Sequence, residues 1–151
     1  MTLPKFLKMT GMTPETQPGF IRRFIYTKTR YKNYLELSRQ MMRILKSEFE
    51  CRAIEDIKFS HNTMHFCFFG FCVCVKTEIA DENETLYAGK LVASIKQNNN
   101  ITDALLTYNF TSQGKINENY SMIDFSKFFY HELVLRVIEA GIKRSKVTLS
   151  A

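Results

Sequence analysis

Met64 to Val75 is the segment that most limits how this chain folds: twelve consecutive residues without a charged side chain. A membrane-spanning helix needs ~20 apolar residues, so the run reads as a buried strand rather than an anchor. Extended to Thr77, it is apolar on both alternating faces. Met64, Phe66, Phe68, Cys72 and Cys74 lie on one, and Cys67, Phe69, Phe71, Val73 and Val75 on the other. A strand apolar on both faces is expected at the centre of a sheet, covered on each side. Gly70 in its middle suggests a bulge or a close backbone approach.

Around this strand the elements fall into order. From Lys32 to Phe49, Tyr34, Leu37, Met41, Ile44 and Leu45 recur at three- and four-residue steps, the core-facing stripe of a helix. Lys32, Arg39, Arg43 and Lys46 gather opposite them, interrupted by Glu36. Phe20 to Lys32 suits helix and strand equally. Arg52–Ser60 and Leu86–Gln97 read as further strands. Asp103–Thr111 alternates, with Ala104, Leu106, Tyr108 and Phe110 on one side. Asp81–Glu84 and Asn98-Asn99-Asn100 are polar turns, so consecutive strands form antiparallel hairpins. Asp124 is the expected N-cap of a last helix running to about Ala140 near Gly141. Its polar stripe (Glu132, Arg136, Glu139, Lys143) is narrow, which predicts a mostly buried helix. The expected fold is therefore α+β: an antiparallel meander of four or five strands flanked by an amphipathic N-terminal helix and a buried C-terminal one. Residues 1–19, with Pro4, Pro14, Pro18, Gly11 and Gly19, read as an irregular arm before one domain over 20–151. The helix–meander–helix order is similar to that of small adaptor, chaperone and immunity folds in general, and fold alone carries no function.

With 151 residues and 45% hydrophobic side chains, the chain holds enough apolar material for one core. Met1 to Met12 carries Lys5 and Lys8 but no continuous apolar stretch, so no secretory signal is read and a cytoplasmic protein is expected. In that setting Cys51, Cys67, Cys72 and Cys74 are expected to be reduced, with Cys72 and Cys74 mostly buried. The Asn-x-Ser/Thr matches at Asn83, Asn100, Asn109 and Asn119 are then accidental.

Recognisable catalytic and metal signatures are missing from the sequence. His61, His65, Cys67, Cys72 and Cys74 are close together, but alternation along one strand would put His65 and Cys67 opposite Cys72 and Cys74, and paired C-x2-C turns are absent. No nucleophile elbow accompanies His61, His65 or His131. The six glycines are too scattered to build a phosphate loop. Asp81, Asn83 and Glu84 lack the ligand set of a calcium loop. Asp56-Ile57-Lys58 lacks the convergent acids of a nuclease site. No catalytic residue, metal or cofactor is expected.

Charge is the feature that points to a partner. Residues 1–46 hold ten basic groups against two acids, a net +8, whereas residues 47–151 hold eleven against thirteen, a net −2. Basic groups interleave with aromatics from Phe20 to Tyr34, including Phe24, Tyr26 and Tyr31. Cations neutralise phosphates, and aromatic faces stack on unpaired bases. The candidate contacts are Arg22, Arg23, Lys28, Arg30, Lys32, Arg39, Arg43 and Lys46. They suggest a non-enzymatic nucleic-acid-binding (DNA or RNA) or regulatory protein. The alternative is a protein–protein module, such as an inhibitor, immunity factor or chaperone, docking on an acidic partner protein.

Overall fold

The computed structural model describes the backbone of residues 20–81, 84–97, 100–117 and 119–150, and side chains there except at 20–25, 68, 97, 100–103 and 144–150. The irregular arm expected over 1–19, and most of the two polar turns, lie outside the described residues. Helix α1 spans Phe20–Cys51. Five strands follow: β1 Lys58–Phe59, β2 Thr63–Phe68, β3 Phe71–Ile79, β4 Tyr87–Gln97 and β5 Asn100–Thr111. Helix α2 covers Met122–Ser150. The strands pair in chain order, β1-β2-β3-β4-β5, each antiparallel to its neighbour. This is the expected α+β layout.

The ambiguity over Phe20–Lys32 resolves as helix. No glycine or proline stands between Phe20 and Cys51, so nothing interrupts the hydrogen-bond ladder already favoured downstream. Met41 and Leu45 are buried and Arg39 and Arg43 face solvent, as expected, whereas Leu37, expected to be buried, and Lys46, expected in solvent, are both half-buried. The helix closes with a Schellman arrangement. Ile54 N–H donates to the Phe49 carbonyl at 3.1 Å and Ala53 N–H to that of Glu50 at 3.0 Å, with Ala53 left-handed at φ 63°. Ile54 then packs into the core behind Phe49.

The long apolar run is two strands rather than one. Phe69 (φ 50°) and Gly70 (φ 78°) both take left-handed backbone and form a two-residue turn that reverses the chain. The reversal corrects three expectations at once. The run is a hairpin instead of a bulged central strand. His65, Cys67, Cys72 and Cys74 come onto the same face of the sheet, because His65 pairs with Cys74 and Cys67 with Cys72. Cys67 and Cys72, Cα atoms 4.1 Å apart, are joined as a disulfide, so these two thiols are not reduced, and Cys72 is exposed. Cys51 and Cys74 are free, and only Cys74 is buried.

Both described helices pack on one face of the sheet. On the covered face Phe71, Val73, Val75 and Thr77 of β3 line up with Phe66, Leu91, Ala93, Ile95, Leu106 and Phe110. Phe49 joins the layers, set edge-on to Phe66 at 5.0 Å and stacked on Phe129 of α2 at 6.0 Å. Tyr108 receives the edge of Phe125 at 4.9 Å. One polar string crosses this core: Tyr34 Oη lies 2.9 Å from Thr77 Oγ1, which lies 2.5 Å from Ser38 Oγ, which donates to the His61 carbonyl at 2.7 Å. Since a carbonyl only accepts, the protons run from Tyr34 to Thr77 to Ser38 to His61, and every hydroxyl is used.

The opposite face is mostly polar, although Cys74 of β3 and its neighbour Ser94 are buried on it. It carries Lys58, His65, Cys67, Cys72, Cys74, Lys76, Glu78, Lys90 and Lys96 in adjacent rows. Burial pushes the Glu78 carboxyl up, but Lys76 at 3.1 Å and Lys90 at 3.4 Å outweigh it and hold the group below its ordinary value. Burial likewise pushes the Cys74 thiol up.

Helix α2 also departs from expectation at both ends. Ser121 is the cap: its Oγ accepts from Asp124 N–H at 3.2 Å, and Asp124 sits inside the first turn, favourably placed against the helix dipole. Gly141 does not end the helix, which runs on to Ser150. Nor is α2 buried nearly all round, since Phe128, Leu135, Ile138 and Ile142 are exposed. Among the described residues no helix is long and apolar enough to cross a membrane.

Candidate nucleic-acid interface

A helix turns 100° per residue, so positions separated by three, four and seven residues share a face. Lys28, Lys32, Arg39, Arg43 and Lys46 obey that spacing and occupy one stripe of α1, about 27 Å long. The face exists because the opposite side of α1 is committed to the sheet through Thr27, Tyr34, Ser38, Met41, Leu45 and Phe49. Lys28, Lys32, Arg39 and Arg43 are exposed, and no carboxylate of the described residues stands within ion-pair distance of any of them. Lys46 is different: it pairs with Glu50 at 2.8 Å and lies over the Phe59 ring at 4.9 Å.

The other expected contacts divide. Arg30 turns away from the stripe and donates from Nη2 to the Asp81 carbonyl at 2.5 Å, which ties α1 to the end of β3. Arg22 and Arg23 lie in the first turn of α1, with side chains outside the described residues. Of the interleaved aromatics, Tyr34 is core and stacks on Phe110 at 6.2 Å, and Tyr31 is partly buried. Tyr26 is 55% exposed. It borders a cleft of about 500 Å³ beside the stripe, lined also by Arg30, Lys32, Asn33, Glu36 and Tyr87.

A second cleft of about 770 Å³ opens at the β1–β2 edge. Lys58, His65 and Lys96 meet Glu55 and Asp56 around the Cys67–Cys72 bridge there. Charges of both signs cancel in such a cleft, whereas on the α1 stripe five cations outnumber Glu36 and Glu50 and leave a net positive field. Sequence reasoning missed this grouping because it depends on the Phe69-Gly70 reversal. Among the described residues no three His, Cys, Asp or Glu side chains gather as a metal site. The chain matches no protein-family model, no curated protein and no solved structure.

Proposed function

We propose that the protein is a non-enzymatic nucleic-acid-binding or regulatory protein that holds phosphates along the α1 stripe. The observation that supports this reading is the set of four exposed cations on one face of one helix, Lys28, Lys32, Arg39 and Arg43, with no ion-pair partner among the described residues. Each cation that meets a phosphate releases condensed counterions, a gain available to any nucleic-acid sequence. Tyr26 beside the stripe offers a face for an unpaired base. A cytoplasmic site of action belongs to the same reading, with the Cys67–Cys72 bridge as its least expected feature in a reducing compartment.

The test replaces Lys28, Lys32, Arg39 and Arg43 with glutamine. Binding to random duplex and single-stranded DNA or RNA should weaken, and the log–log salt slope should flatten by roughly 0.9 per lost contact on duplex, or 0.7 on single strands. Exposed charges contribute little to stability, so the melting temperature should stay near wild type. A wild-type chain that is not retained on either form at low salt ends the reading. If the same chain then binds polyglutamate through these residues, the stripe is a docking face for an acidic protein.

A further inference from the structure

Helix α2 is apolar twice. Met122, Phe125, Phe129, Leu133 and Val137 face the core and are buried. On the opposite side Phe128, His131, Leu135, Ile138 and Ile142 recur at alternating three- and four-residue steps, and all five are exposed. Phe128, Leu135, Ile138 and Ile142 keep 44%, 55%, 44% and 52% of their surface in solvent. Tyr120, stacked on Phe128 at 6.1 Å, prolongs the patch at its N-terminal end. Four helical turns therefore present no charged group along their outward line, in a chain of which 24% is charged.

That spacing is the seam of a coiled coil, in which knobs from one helix fit holes in another. Charges flank the seam, with Lys127 on one side and, on the other, Glu132 and Glu139, the latter paired with Arg136 at 3.2 Å. In a parallel, in-register pair Lys127 faces Glu132 of the partner subunit, twice by symmetry, whereas an antiparallel pair sets the glutamate flanks against each other. Half-exposed large side chains contribute on the order of 100 Å² each, so the patch supplies on the order of 500 Å² per copy. Two copies reach the ~1,000 Å² at which specific interfaces begin.

We infer that the outer face of α2 is a self-association surface, occupied by the same face of a second copy in a parallel two-helix seam. The interface uses none of the α1 stripe, so it stands or falls independently of nucleic-acid binding.

Sedimentation equilibrium of the full chain, without nucleic acid and at concentrations on the order of 100 µM, should give twice the chain mass. Each copy carries a net charge of +6, so added salt should strengthen the dimer, the opposite of its effect on phosphate binding. Leu135→Glu with Ile138→Glu alters only exposed positions. It should raise the dissociation constant at least about tenfold while leaving the far-ultraviolet circular dichroism unchanged. Lys127→Glu should weaken the dimer several-fold, and adding Glu132→Lys should restore it. A wild-type chain that stays monomeric in moderate salt overturns the inference. So does a dimer indifferent to the Leu135 and Ile138 changes, and so does uptake by neutral phosphatidylcholine vesicles without self-association.

Discussion

Gly89 has no space for a methyl group. A Cβ there would stand 2.6 Å from the Glu78 carbonyl oxygen and 2.6 Å from the Phe110 ring, and the carbonyl belongs to the paired strand and cannot step aside. Gly89→Ala should therefore destabilise the fold by about 2 kcal/mol or more, as core overpacking does, read from urea unfolding midpoints. Gly70 has nothing within 4 Å but a left-handed φ of 78°, so Gly70→Ala should cost only about 1 kcal/mol, from backbone strain alone. Tyr108 adds a pH dependence. Burial first, and the Glu132 carboxylate second, push its phenol up to about 12 from an ordinary value of 10. The native state thus keeps a proton that the unfolded chain releases, and the associated stability is intact below pH 10 and lost as pH rises from 10 towards 12. Denaturation midpoints across that window should fall less steeply for Tyr108→Phe than for wild type.

Elements differed in how plainly the sequence announced them, for reasons visible in particular residues. The Lys32–Phe49 stripe was legible because its apolar spacing and its charges agree, and Arg39 and Arg43 are exposed as that agreement requires. The meander was legible from its polar turns and from the alternation over Asp103–Thr111. The β2–β3 turn was not, because Phe69 is an unusual residue at φ 50° and hides the reversal inside an apolar run. That one turn also misplaced the cysteines and His65, whose faces depend on it. Part of the candidate site could be read by counting from Lys28 to Lys46. The diversion of Arg30 to the Asp81 carbonyl is a tertiary contact with no local signal. Helix α1 ends in a way that permits a further check. Ala53 holds the left-handed position of its C-terminal motif, where glycine bears no Cβ penalty. Ala53→Gly should stabilise the protein by about 0.5–1 kcal/mol in thermal or urea unfolding, reduced by the added freedom of the unfolded chain.

At the scale of the whole molecule, strand order in space equals strand order in the chain. Every step in building the sheet is then the closing of a short loop between sequence neighbours, with little entropy to overcome. Among the contacts of high sequence separation, the seam where Phe129 of α2 stacks on Phe49 of α1 joins the two helices. There the last turns of α1 meet the first turns of α2. Within the sheet the pairings are therefore local, and its assembly should be fast for a five-stranded sheet. Kinetic persistence is a separate matter. It resides in the late-forming seam, so weakening Phe129 should hasten unfolding while leaving the rate of folding nearly unchanged.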